Sequence, residues 1–118
     1  MSRARPRVLF PGGDTPTDQE NRVARAVGGH RNRGSGASMY AKGDVRTDDF
    51  LIEAKRTVHA SISVTKKWLD KISGEAAAAG KEPALAIEIA GGPNHAHGER
   101  DWVCVPLRVF RQLTGASD

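Results

Sequence analysis

Sixteen residues, Lys42 to Thr57, constrain the fold of this chain more than any other stretch: Lys-Gly-Asp-Val-Arg-Thr-Asp-Asp-Phe-Leu-Ile-Glu-Ala-Lys-Arg-Thr. They hold two short apolar runs, each beside charge, with a polar corner between them. That pattern predicts a β-hairpin, with Gly43 to Arg46 going out, Thr47-Asp48-Asp49 turning, and Phe50 to Thr57 returning. Side chains alternate along a strand, so Glu53 and Lys55 share one face while Ile52 and Ala54 take the other. Asp44 stands on the neighbouring strand. Two carboxylates and an ammonium on adjacent strands have the makings of a metal site, which leaves Asp48 and Asp49 as turn residues.

Around the hairpin the chain divides at residue 17. Residues 1–16 are broken by Pro6, Pro11, Gly12, Gly13 and Pro16 and read as a flexible basic segment, so a single folded domain is expected over 17–118. Thr17-Asp18-Gln19-Glu20 matches a capping box that opens a helix, with Glu20 reaching back to the cap. Val23, Ala24 and Val27 then fall on one face, and Gly28-Gly29 stops the helix. His30 to Ser38 is a glycine–serine loop carrying Arg31 and Arg33, and Met39-Tyr40-Ala41 leads into the first strand. The loop is neither a Walker loop nor a dinucleotide fingerprint.

After the hairpin, Ser61 or Ser63 is expected to cap a second helix with Val64, Trp68, Ile72 and Ala76 on its apolar stripe. Gly74 within it marks a weak point or close packing, and Gly80 ends it. Leu85 to Ala90 and Trp102 to Leu107 read as strands, and Leu107 to Leu113 as a final helix with Leu107, Val109, Phe110 and Leu113 on its apolar side. Pro106 ends the last strand or sits on an edge. His95 and His97 fall in the polar loop between those strands, a weak zinc signal without a nearby acid on a rigid element. His59 has no evident partner, and Cys104 reads as core. The expected fold is α/β, a mixed central sheet with flanking helices.

A chain of 118 residues is one domain by length. No run approaches the roughly 18 apolar residues of a membrane span, and the arginine-rich start lacks the apolar core of a signal peptide. With one cysteine no intrachain disulfide forms, so a cytoplasmic protein is expected. Residues 1–33 carry seven arginines against three acids, which accounts for the whole net charge of +4. A cationic excess ahead of the hairpin favours a polyanion, above all nucleic acid. The plainer alternative for Arg3, Arg5 and Arg7 is a solubilising tail.

Phosphodiester hydrolysis needs charge neutralisation and an activated water, which a divalent cation supplies. Mg²⁺ takes hard oxygen ligands and keeps several waters, so two carboxylates and a carbonyl suffice. Asp44, Glu53, the Ala54 carbonyl and Lys55 meet that requirement. Gly43-Asp44, eight intervening residues and Glu53-Ala54-Lys55 resemble the PD-(D/E)XK nuclease motif, with Gly43 in place of its proline. The order of elements is similar to that superfamily's restriction-endonuclease-like αβββαβ core. Within it, the chain is most similar to archaeal and phage Holliday junction resolvases, in small size, a first-helix glutamate (Glu20) and the basic glycine–serine loop.

The resemblance implies a Mg²⁺- or Mn²⁺-dependent endonuclease that cuts four-way DNA junctions, acting as a homodimer in a prokaryotic or phage-infected cell. It implies Asp44, Glu53 and the Ala54 carbonyl as metal ligands, with Glu20 contributing, and Lys55 as the catalytic lysine. Ser35 corresponds to the loop serine near the scissile strand. Glu20 is claimed both by the capping box and by the metal site. Arg31, Arg33, Ser35, Lys42 and Arg56 are expected to hold the DNA backbone. Lys66 and Lys67, a solvated helix face close behind the hairpin, are further DNA-contact candidates. No membrane and no small-molecule cofactor enter this expectation. Two other readings stand beside it: a flap or single-strand repair nuclease of the same fold, and a non-catalytic basic module whose acids are structural.

Overall fold

Alternating apolar residues in the hairpin, and a near-continuous apolar run after the second helix, give the chain its central strands. The computed structural model describes residues 15–32, 43–91 and 99–116. In chain order these form α1 (Pro16–Val27), β1 (His30–Arg31), β2 (Val45–Arg46), β3 (Phe50–Thr57), α2 (Lys66–Ala79), β4 (Glu82–Ile89), β5 (Asp101–Cys104) and α3 (Leu107–Leu113). The protein is thus a small α/β domain, with three helices and a five-stranded sheet in the order β1-β2-β3-β4-β5 among the described residues. β3 and β4 run parallel, joined by α2, and every other neighbouring pair is antiparallel. No helix among the described residues is long and apolar enough to cross a membrane.

The sheet carries a helix on each side. Val23 and Ala24 of α1 pack on Val45, Ile52, Ala84 and Ala86, whereas Ile72 and Ala76 of α2 pack on Leu51. Register assigns the chemistry to these two faces. Ile52 pairs with Ala84 and Glu53 with Leu85, so Glu53 and Lys55 share the α2 face with Leu51, while Ala54 and Arg56 share the α1 face with Ile52. β4 is buried on both faces, which explains its apolar run, broken only by Glu88 between Pro83 and Ile89.

The hairpin forms, with its outgoing strand confined to Val45–Arg46 rather than the expected Gly43 to Arg46. Val45 pairs with Ile52, and Thr47 Oγ1 accepts from the amides of Asp49 at 3.1 Å and Phe50 at 2.9 Å, fixing the turn. Lys81 locks it from outside, donating to the carbonyls of Thr47 at 2.6 Å and Asp48 at 3.0 Å.

Several local expectations change. The first helix starts at Pro16, inside the segment expected to be flexible. Thr15, rather than Thr17, is its cap, and Asp18, rather than Glu20, reaches back: Asp18 N–H donates to Thr15 Oγ1 at 3.1 Å and Thr15 N–H to Asp18 Oδ2 at 2.9 Å. Pro16 suits the first helical position because its missing N–H would have no partner there. Glu20 is therefore released from capping.

His30–Arg31 is a two-residue strand rather than loop. α2 is capped by Thr65, with Val64 exposed ahead of it, instead of by Ser61 or Ser63. Gly74 meets nothing within 4 Å, so close packing does not explain it. The last strand ends at Cys104, because Pro106 has no N–H for the ladder and instead caps α3. Of the expected apolar side of α3 only Val109 is buried, while Leu107, Phe110 and Leu113 face solvent. Cys104 is half-buried. The Met39–Ala41 expectation, His95, His97 and the segment 1–14 lie outside the described residues.

Candidate metal and phosphate site

Asp44 is held by its backbone before its side chain acts. Its N–H donates to Ile52 O and its carbonyl accepts from Asn32 N–H, both at 2.8 Å, which fixes the residue between β1 and β3. Its Oδ2 then accepts from the Ala54 amide at 2.7 Å. Ala54, expected to offer a carbonyl to a metal, is here seen offering its N–H to the aspartate. Gly43, just before, has φ +73°, and a Cβ there would sit 2.8 Å from Leu51 Cγ. A proline, locked near φ −65°, could not take this position.

Glu53 and Lys55 project from β3 toward α2, as strand alternation requires. Lys55 Nζ lies 3.6 Å from Glu53 Oε2 and 4.6 Å from the centre of the Trp68 ring. Trp68, expected as core, is only half-buried and serves as the surface against which the lysine rests, a cation–π arrangement. From the next turn of α2, Lys71 Nζ reaches Glu53 Oε1 at 3.4 Å and Glu75 Oε2 at 3.1 Å. Glu53 is thus bracketed by two ammonium groups.

Glu20 joins this group from α1. Its carboxyl is pushed above the usual range, first by burial and then by the negative charge of Asp44, with a smaller contribution from Glu53; Arg31 opposes the shift. Arg31 Nη1 lies 3.5 Å from Glu20 Oε1, so this expected DNA contact is engaged with the acid. The three carboxylates named from the sequence therefore share one electrostatic neighbourhood, with Lys55 beside them.

Lys71 and Glu75 escaped sequence reasoning, and so did a buried neighbour on α1. Gln19 is 1% exposed, and its Nε2 donates to the Lys55 carbonyl at 2.8 Å, tying α1 to β3 at the lysine. Its one signal was position: it precedes Val23 by four residues, on the inward stripe of α1.

The other expected contacts fall elsewhere. Arg56 points to the α1 face, where its Nε meets Glu88 Oε1 at 3.1 Å. Glu88 is fully buried and also receives Arg22 at 3.2 Å and Arg100. Arg22 in turn holds Asp101 at 2.9 Å. Burial alone would raise the Glu88 carboxyl, but hydrogen bonds from Arg56 and Arg100 and the charge of Arg22 hold it below the usual range. This knot was legible only as a lone acid within an apolar strand. Lys66 and Lys67 are exposed on α2, with Lys66 paired to Asp70 at 2.8 Å. Arg33, Ser35 and Lys42 lie outside the described residues.

Oxygen-only donors of this kind suit a hard divalent cation, whose charge would oppose the upward shift of Glu20. As the side chains stand, no group of three or more His, Cys, Asp and Glu residues among those described is gathered to hold an ion. Both oxygens of Glu53 already face lysines. No protein-family model, curated protein or solved structure matches the chain.

Proposed function

We propose that this protein is a metal-dependent, structure-specific DNA endonuclease with a restriction-endonuclease-like core, and that its substrate is a four-way junction. One observation carries the reading. Glu53 and Lys55 stand 3.6 Å apart on one face of β3, Asp44 Oδ2 accepts from the amide of Ala54 between them, and the charges of Asp44 and Glu53 help to raise Glu20 of α1. Like charges disfavour ionisation when they share a site.

Glu20, Asp44 and Glu53 would hold Mg²⁺ or Mn²⁺. The bound cation supplies positive charge to the phosphate and makes water nucleophilic at neutral pH. Asp44 is pre-set for its part by the Ala54 amide, which fixes one oxygen and leaves lone pairs on the carboxylate. Lys55 offers a fixed positive charge to the phosphate as negative charge develops. Its ammonium is steadied by Trp68 and its backbone by Gln19, so little reorganisation is needed. The active unit in this reading is a homodimer, matching a substrate with two equivalent strands to cut.

A second reading draws on the bracketing of Glu53 by Lys55 and Lys71. Ion pairs of that kind are also what a non-catalytic basic module would use to keep its acids structural. Measuring cleavage of labelled four-way junction, flap and linear duplex with Mg²⁺ tests both. Preferential cutting of the junction supports the resolvase; preferential cutting of the flap assigns a repair nuclease of the same fold. Salt-sensitive binding with no metal-dependent cutting leaves the non-catalytic module.

A further inference from the structure

α2 brings a second lysine to the carboxylates, one that no part of the proposed chemistry uses. We propose that Lys71 is a positioning residue that holds Glu53 while the site is free of metal and passes to Glu75 when a divalent cation takes Glu53. The inference rests on the metal-site reading above and names what must move for that site to fill.

Both oxygens of Glu53 are engaged, Oε1 by Lys71 at 3.4 Å and Oε2 by Lys55 at 3.6 Å. A cation that takes Glu53 must compete with these two ammonium groups for its charge. Lys55 is the restrained one: its ammonium lies over Trp68 at 4.6 Å and its carbonyl accepts from Gln19 at 2.8 Å. Lys71 is the more exposed one, its side chain 53% exposed against 29% for Lys55.

An acceptor already waits for it. Glu75 lies one turn further along α2, and its Oε2 is 3.1 Å from Lys71 Nζ. Its Oε1 is buried and has no hydrogen-bond partner, an unusual state for a carboxylate oxygen. An ammonium has three donors, so Lys71 can satisfy that oxygen as soon as it is released from Glu53. Lysine and glutamate four residues apart on a helix are natural neighbours. The transfer therefore needs rotation of the lysine side chain and no movement of α2. The same three residues give the site a resting state in which Glu53 is neutralised and a loaded state in which Glu75 is satisfied.

The test uses the full chain and Mn²⁺ alone, without DNA, with bound and free ion counted by electron paramagnetic resonance. Wild type should bind Mn²⁺, and Glu53→Gln should lose that binding. Lys71→Met should bind about fivefold more tightly, the scale of one partly exposed ion pair no longer competing, while Lys71→Arg stays near wild type. Glu75→Gln should bind more weakly, because Lys71 has lost its alternative partner, and this weakening should vanish in the Lys71→Met background. Unchanged or weaker binding by Lys71→Met, with Glu53→Gln still abolishing it, overturns the role of Lys71 and leaves the metal site standing. An undiminished Glu75→Gln effect without Lys71 also overturns it, as a general charge effect. Absence of Mn²⁺ binding in wild type removes the metal site and this inference together.

Discussion

Replacing Glu88 by glutamine should destabilise the protein by about 3 kcal/mol, and the structure explains both the size and the pH dependence of that loss. The Glu88 side chain is fully buried and anchors Arg56, Arg22 and Arg100. Removing one member of a buried ionic group typically costs about 3–5 kcal/mol, because the partners remain without compensation. Here the low end applies. The side chains of Arg22 and Arg100 are 33% and 43% exposed and recover water, and Arg22 keeps Asp101. Arg56 is the most buried of the three, its side chain 15% exposed.

Against a typical total of about 5–15 kcal/mol the loss is large. With a urea m-value of about 1–3 kcal/mol/M it should lower the midpoint by roughly 1.5 M. The folded-state pKa of Glu88 is held below its ordinary 4.5. Its contribution is therefore fully present above that value and lost as pH falls through the folded pKa. The gap between wild type and Glu88→Gln should accordingly close on acidification below about pH 4 and stay constant from pH 6 to 8. A loss under 1 kcal/mol at pH 7, or a gap that widens in acid, would refute the assignment of Glu88 as the anchor of the three arginines.

Three further outcomes follow from particular positions. Gly74→Ala should stabilise the protein by about 0.5–1 kcal/mol in urea denaturation, because the site lies in open space within α2 and glycine carries only its entropic cost there. Gly43→Ala should lose about 1–3 kcal/mol, since φ +73° and the contact with Leu51 both oppose a Cβ, and should depress any Asp44-dependent activity with it. Glu20→Gln should gain stability over wild type as pH rises from 4 to 7. The raised pKa of Glu20 means that its favourable protonated form prevails below its ordinary 4.5 and is lost as pH climbs through the folded value. Saturating Mg²⁺ should narrow that difference, and thermal melts at the two pH values measure both effects.

The parts of this fold that sequence could foresee are those with a local signature. The hairpin, the order of its elements and the glycine stops at Gly28 and Gly80 are written in alternation and in residues that tolerate positive φ. The cap of α1 was misassigned because the chain offers two overlapping boxes, Thr15 with Asp18 and Thr17 with Glu20. Pro16 decides between them, and the choice matters, since it frees Glu20 for the site. β1 was hidden because two residues carry no periodicity.

Glu53 and Lys55 could be placed on one face because strand alternation fixes it. Their company could not. Trp68 under Lys55, Gln19 on its carbonyl and Lys71 beside Glu53 depend on where two helices dock against one strand. Arg56, expected as a phosphate contact beside Lys55, lies on the opposite face by strand alternation and is engaged by Glu88. α3 shows the limit from the other side: its apolar residues promised burial, but only Val109 meets the body of the domain.

The central claim is that the Glu20, Asp44 and Glu53 carboxylates, with Lys55, cut DNA with the help of a divalent cation. The most direct measurement is cleavage of an end-labelled four-way junction by wild type, Asp44→Asn and Glu53→Gln in Mg²⁺ and in Ca²⁺. The account predicts cutting by wild type in Mg²⁺ alone. Both variants should lose cutting by at least about a hundredfold, the scale of removing one charge-stabilising group from an active site, while still shifting the junction in a binding assay. Undiminished cleavage by either variant would contradict it.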